Sequence, residues 1–406
     1  MRDVASGVGG AGGWLLGAAA AGAGAVWLWR HQDEVMTRRP VNEWTFTHMN
    51  LLMPTEDVRR GKDVFPLPRR PEPLPVTYGF EGRERSLAEL HARTNTTSFV
   101  VLHGGEIVHE SYPGRFAGDS VRFQLFSVTK SVTSMLIGIA LDEGAIKDVT
   151  EPATAYCSGL AGSAFDGVTI EQLLDMSSGV GDLELYTIPD SLINRFGKAA
   201  TGNGSLHDVV SSAERSAEAG TRFNYSTIDT QVLGWVLEAA TGRSLAQYAT
   251  ERLWSRIGAE HDAYYWLTRK HPRTAIGGGS LNATPRDMAR LGLLMSRGGE
   301  LNGQRIVPEE WVARSRGRGV PHLDVGALGP NDPAHYGYSN QWWTLGGERR
   351  PFTAVGIHGQ YLYVDPDADV VIVKTSAWPT ADDVSRDAES VTALRAVADH
   401  LQELHR

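Results

Sequence analysis

The chain has very little cysteine. Cys157 is the sole one in 406 residues, so no intramolecular disulfide can form, and the fold needs no oxidising compartment. A lone cysteine reads as a small buried hydrophobe before it reads as a nucleophile. Metal-ligand patterns are also missing: the thirteen histidines form no HExxH, and there is no CxxC. No structural or catalytic metal is therefore expected, and no cofactor is expected either. Lysine and arginine form no strong block, and the net charge is −9. Nucleic acid is not the expected partner, because phosphate contacts need clustered cations. The G-x-S-x-G nucleophile elbow is absent as well. Gly242-Arg243-Ser244 and Gly337-Tyr338-Ser339 both fail at the final glycine, which argues against an α/β-hydrolase.

Charge is absent from one long run. Val4 to Trp29 holds no charged residue and is rich in Gly and Ala. As a helix it is long enough to span a bilayer core of ~30 Å. Its large apolar residues cluster at Trp14-Leu15-Leu16 and Val26–Trp29, and tryptophans toward both ends suit membrane interfaces. Residues 4–29 are thus expected to anchor the protein to a membrane or to remain as an uncleaved signal, on a membrane-anchored or exported protein. A cleaved signal and a disordered tail are the rival readings, the latter with a cytoplasmic protein. Gly7, Gly9 and Gly12 match GxGxxG, but no strand precedes them and no acidic strand follows, so no nucleotide site is expected.

Beyond residue 39 the patterns are those of a folded chain. The stretch 54–75 is rich in Pro, Arg and Asp and predicts no regular element. "TTSFVVLHGGEIVHESY" predicts a β-hairpin turning at Gly104-Gly105. Residues 151 to about 275 are mostly helical in pattern; "TIDTQVLGWVLEAATG" predicts a helix stopped by Gly242. Thr284 and Pro285 read as the cap and first position of another helix. Strands at "QYLYVDP" and "ADVVIVKTSAW" and a helix over 385–404 complete the chain. The expected division is an N-terminal segment 1–39, an α/β domain from 40–150 and 284–406, and a helical domain 151–283. Strands from both ends of the chain share a sheet, and a cleft lies between the two domains.

The stretch "FQLFSVTKSVTSMLIGIALDEG" carries the chemistry. Ser127 and Lys130 stand three residues apart at the mouth of an apolar helix that Gly144 ends. That spacing puts both on one face. Burial and the helix N-terminus can lower the lysine pKa, leaving a neutral amine to take the serine proton. The bland reading is a capping serine beside a solvated lysine. A hydrolase of this type also needs a second proton carrier and an oxyanion hole. Tyr225, in the loop before the 227–241 helix, is the candidate carrier. The glycine-punctuated strand "TAVGIHGQYLYVDP" can bring backbone N–H groups close to a ligand.

Together these motifs resemble the serine β-lactamase-like superfamily: S-x-x-K, then a tyrosine motif, then a glycine motif. The likeness runs from about Val41 to the C-terminus. Within the superfamily the chain is most similar to 6-aminohexanoate-dimer hydrolases and related class C-like esterases, through "NEWTFTHMN", "FSVTKSV", "RFNYST", "QWW" and "GIHGQYLYVDP". The resemblance implies an α/β fold of the β-lactamase/transpeptidase type: an antiparallel sheet flanked by helices, with an inserted, mainly helical domain. It also implies that Ser127 is acylated, that Lys130 is its base, and that Tyr225 serves the leaving group. The N–H groups of Ser127 and Ile357 are then the oxyanion hole. Tyr186, Gly356, His358, Trp342 and Trp343 are substrate-binding candidates, although core packing explains the tryptophans equally well.

Two departures stand out. The tyrosine motif continues Ser226-Thr227 where Tyr-x-Asn is usual, and Ala354 takes the place of the third motif's lysine. The expected activity is therefore carboxylester hydrolysis on small acyl esters, with linear amides such as aminohexanoate oligomers second. The alternatives are β-lactamase or D-alanyl-D-alanine peptidase activity, or a catalytically silent, membrane-tethered binding module. Oligomeric state is left open.

Overall fold

The computed structural model describes residues 32–181, 184–329, 332 and 334–405. The uncharged run 4–29 lies outside them. Among the described residues no helix is long and apolar enough to cross a membrane.

The elements that position the site are, in chain order, the strands β1 (Thr55–Val58), β2 (Thr96–His103), β3 (Glu106–Ser111), β4 (Phe123–Gln124), β5 (Ala263–Trp266), β6 (Leu281–Ala283), β7 (Tyr336–Ser339), β8 (Trp342–Leu345), β9 (Phe352–Gly356), β10 (Gln360–Asp365) and β11 (Val370–Ser376). The helices are α1 (Val41–Thr45), α2 (Val128–Asp142), α3 (Thr227–Thr241), α4 (Pro285–Ser296) and α5 (Val384–Leu404).

The seven-stranded sheet runs β7-β8-β9-β10-β11-β2-β3, and its ladders are antiparallel. The predicted 96–111 hairpin is thus joined to C-terminal strands through β11. Alternation along each strand feeds two cores. Phe99, Val101, Val370 and Ile372 pack with Leu394, Val397 and Leu401 of α5. Val100, Leu102, Val371 and Val373 pack on the opposite face with Leu291, Leu294 and Met295 of α4. The Thr284 hydroxyl accepts from the Asp287 N–H and Pro285 opens α4, as the sequence predicts. Gly242 closes α3 in the left-handed region, at φ 65°.

Helix α2 packs on the same face of the sheet as α4, against β9, β10 and α3, with every residue from Val128 to Ala140 buried. Gly138 is needed there: a Cβ would sit 2.5 Å from the Trp311 ring. The indole therefore lies flat on the helix and donates its N–H to Ser134 Oγ at 3.3 Å.

Two expectations need correction. The Pro-rich stretch 54–75 contains a regular element, β1, paired antiparallel with β5. The stretch 151–283, read as helical, contributes β5 and β6 to a second sheet of order β1-β5-β6-β4. That sheet places Ser127. Phe123 and Gln124 pair with Ala283 and Asn282, and the Leu125 N–H continues the ladder to Leu281 O at 2.9 Å.

Candidate active site

Ser127 follows this short ladder directly. It occupies the N-cap position of α2, but its φ and ψ are −68° and −9° and its hydroxyl caps nothing. A serine at a helix start normally turns its oxygen onto the N2 or N3 amide. Here the oxygen faces Lys130, whose Nζ lies 2.9 Å away. The bland reading of a solvated lysine is excluded, since Lys130 is 1 % exposed.

Lys130 Nζ has two further neighbours, Thr227 Oγ1 at 2.9 Å and the Gly278 carbonyl at 3.1 Å. A neutral amine has two N–H bonds and one lone pair. Donating to Thr227 and Gly278 leaves the lone pair directed at the Ser127 hydroxyl. Burial lowers the Lys130 pKa to about 8, against a smaller upward pull from the Glu184 carboxylate. Thr227 thus holds the Lys130 amine from the place where the usual motif has asparagine. Gly278 has no side chain to offer and contributes its carbonyl.

Tyr225 leads into α3. Its ring centroid is 4.9 Å from Lys130 Nζ. The ring stacks on Trp343 at 5.3 Å and 28° and meets Tyr338 edge-on at 6.1 Å. Burial, then the Glu184 charge, push the phenol pKa well up, while the neighbouring Ser127 hydroxyl pulls it back. The phenol is thus a proton donor throughout the range in which Lys130 titrates. Tyr186 reaches the same region: its hydroxyl donates to Glu184 Oε2 at 3.0 Å, and its pKa is raised by burial first and by Glu184 second.

Sequence reading missed Glu184. Its other oxygen accepts the Thr227 N–H at the start of α3, where a carboxylate is favoured by the helix dipole. The only sequence signal was its position two residues before Tyr186, in an irregular loop.

The third wall is the turn after β9. An ideal Cβ on Gly356 would lie 2.6 Å from Leu125 O and 3.2 Å from Ser127 N. Glycine is therefore required for β9 to approach the Ser127 backbone this closely. Neither the Ser127 nor the Ile357 N–H has an acceptor among the described residues. Gly356→Ala is expected to lower kcat by ~10²- to 10³-fold, the scale of losing an oxyanion donor, and to lower the melting temperature as well, because the added methyl must displace the Leu125 carbonyl; steady-state kinetics beside a thermal melt checks it.

Two candidates do not face this space. Trp342 is 1 % exposed and packs edge-on to Phe352 at 5.1 Å, in the core. Strand alternation sends its neighbour Trp343 the opposite way, onto Tyr225. His358 is 2 % exposed and packs behind the turn, between Phe46 and Phe126. Both are corrections to the substrate-contact expectation. A cavity of about 460 Å³ lined by Tyr156, His207, Trp235 and Lys270 among others shares no residue with the Ser127 site.

Comparison with known proteins gives a consistent picture. The beta-lactamase family model matches residues 83–395. The chain is 32 % identical over 350 residues to the 6-aminohexanoate-dimer hydrolase of Paenarthrobacter ureafaciens, covering 84 % of this chain and 87 % of that one. A solved Bacillus anthracis structure, provisionally described as a 6-aminohexanoate-dimer hydrolase, superposes with TM-score 0.82 at 29 % identity, over 91 % of this chain and 96 % of that one. EstCE1, a hydrolase with promiscuous acyltransferase activity, shares the fold at TM-score 0.60 and 16 % identity, over 78 % and 98 % of the two chains. With its family model spanning most of the chain and this fold around Ser127, the protein belongs to the beta-lactamase family of hydrolases.

Proposed function

We propose that the protein is a serine hydrolase that works through an acyl-enzyme on Ser127, acting on small carboxylic esters first and linear amides second. The observation that carries this reading is the buried Lys130 amine, 2.9 Å from the Ser127 hydroxyl and lowered to about 8 by its burial. As Ser127 Oγ bonds to the substrate carbonyl carbon, its proton passes to Lys130 Nζ. The carbonyl oxygen becomes an oxyanion held by the N–H groups of Ser127 and Ile357. On collapse the bond to the leaving group breaks, Tyr225 gives that group its proton, and the Lys130 ammonium restores the phenol. Water then attacks the acyl carbon. Its proton goes back through the same pair, and Ser127 leaves with a proton.

Several features support esters over lactams. Ala354, in the place of the third motif's lysine, is fully buried and uncharged, so it offers no cation for a lactam carboxylate. An alkoxide leaves more readily than an amide nitrogen, and Gly278 supplies no polar side chain to assist the latter. Similarity to a 6-aminohexanoate-dimer hydrolase favours linear amides as the second class. Tyr186 and Trp343, beside Tyr225, are the proposed substrate contacts.

The test is turnover by the purified full chain of short-chain p-nitrophenyl esters, the linear 6-aminohexanoate dimer and a chromogenic cephalosporin. Esters are expected fastest, the amide slower and the cephalosporin inert. Fast cephalosporin turnover, or labelling of Ser127 by a fluorescent penicillin, would instead make it a penicillin-recognising enzyme. Tyr225→Phe is expected to keep measurable acylation while losing ~10²-fold or more in overall turnover, on the scale of a general acid. A burst experiment separates the two steps, and an unchanged steady state would remove Tyr225 from the mechanism.

A further inference from the structure

The two proposed oxyanion donors are each adjacent to a bulky residue in the left-handed region. Phe126, before Ser127, has φ 47°, and His358, after Ile357, has φ 60°. Such a conformation is unfavourable for residues of this size and persists only where the surroundings impose it. Here the surroundings are one small cluster. Phe46, Phe123, Phe126 and Ala377 form an apolar core separate from the two main ones, and Ile357 packs against it. Phe46 sits at its centre, 4.7 Å from the Phe126 ring and 5.0 Å from the His358 ring, with those two rings 5.4 Å apart.

Hydrogen bonds from the same N-terminal segment reach both halves of the hole. Phe46 O accepts the Gln124 N–H at 2.8 Å, on the Ser127 side. The Asn42 amide donates to Trp378 O at 3.0 Å, on the Ile357 side. That carbonyl also accepts from His358 Nδ1 at 2.9 Å, and the His358 N–H donates to Ala381 O at 2.7 Å. Trp378 and Ala381 follow β11, so three distant parts of the chain meet behind the two donors. The Gln360 amide donates to Ile357 O at 3.2 Å and to Ser376 O at 2.9 Å, fixing the turn from its other end.

We propose that α1 and Phe46 form a strap across the back of the oxyanion hole, and that Phe46 and His358 are positioning residues that set the spacing and direction of its two N–H donors. The proposal rests on the acyl-enzyme reading given above. It assigns a role to the "NEWTF" stretch, which touches no reacting atom. His358 acts here as a rigid neutral ring and not as an acid or base. Its burial lowers its pKa to about 4, and the carbonyl of Trp378 fixes the proton on Nδ1.

Because the strap acts on donors used chiefly in the transition state, its loss should lower kcat and spare KM. In the full chain, with sites counted by fluorophosphonate titration, Phe46→Ala is expected to lower kcat on a p-nitrophenyl ester by about 10- to 100-fold. KM should stay within about 3-fold, and the midpoint of the pH–rate curve should stay near the wild-type value. Phe46→Leu, which keeps most of the volume, should recover much of the loss. His358→Asn, which tolerates the left-handed region, should retain more kcat than His358→Val, which does not. Wild-type kcat in both Phe46→Ala and His358→Val overturns the strap. So does a loss in which kcat, KM and the pH midpoint move together, the mark of general core damage. If Phe46→Ala yields no folded protein, Phe46→Leu and the His358 pair decide by the same criteria. Turnover surviving in Ser127→Ala refutes the acyl-enzyme itself; turnover lost there but intact in the strap variants refutes the strap alone.

Discussion

Ser127→Ala is expected to remove ester turnover to within the residual rate that binding and the oxyanion hole alone provide, a fall of roughly 10³- to 10⁶-fold. The size follows from what is deleted. Among the described residues two hydroxyls lie 2.9 Å from the buried amine, those of Ser127 and Thr227; Ser127 carries one of the two N–H groups that lack an acceptor, whereas Thr227 opens α3 with its own N–H tied to Glu184. Without the Ser127 oxygen no acyl-enzyme can form. The substitution should leave the fold alone, because the side chain caps no helix amide. The measurement is kcat/KM with an unchanged melting temperature beside it. Turnover equal to wild type would end the account.

Lys130→Met is expected to be as inactive as Ser127→Ala, and the double variant no worse, since nucleophile and base act as one unit. It should also be more stable at pH 7. The amine's pKa falls from 10.5 unfolded to about 8 folded. Between those values the unfolded chain binds the proton and the folded chain does not, so wild-type stability rises with pH across that window. Below pH 8 both forms are protonated and the burial cost is present in full. At 1.36 kcal/mol per unit it is of the order of 3 kcal/mol. An apolar side chain of similar length removes that cost, less the hydrogen bonds to Thr227 and Gly278. Denaturant melts at pH 7 and pH 10 check this: the variant's advantage should shrink at the higher pH. A destabilised variant at pH 7 would mean that the lysine's hydrogen bonds outweigh its burial. The pattern, activity gained at a cost in stability, is expected where a charged group is buried for chemistry.

Much of this was legible locally. The hairpin 96–111, the capped α4 and the Gly242 stop of α3 carry their own signals: alternation, a turn pair, a cap and a left-handed glycine. The Ser127–Lys130 pair was legible because three residues of helix bring the two side chains together without help from the rest of the chain. What was missed depends on distant partners. Thr55–Val58 becomes a strand only because Tyr264 and its neighbours pair with it, and nothing in a Pro- and Arg-rich stretch announces that. The strand that carries Trp342 and Trp343 has no separate signal in the sequence, and only its alternation in the structure decides that Trp342 enters the core and Trp343 meets Tyr225. His358 sits in a glycine motif beside the chemistry, so its polarity pointed toward substrate; the left-handed turn rotates it into the aromatic cluster instead. Glu184 lies in a loop with no periodicity, and its link to Thr227 spans 43 positions of sequence.

A neutral amine at the foot of α2 is expected to make the Ser127 hydroxyl reactive. The most direct test is the rate of Ser127 modification by a fluorophosphonate, read by peptide mass mapping from pH 6 to pH 10, in the wild type and in Lys130→Met. The expected result is a single modified residue, Ser127, whose rate climbs through a midpoint near 8 to a plateau and is lost in the variant. A flat profile, a rate that survives in Lys130→Met, or modification at another residue would contradict it.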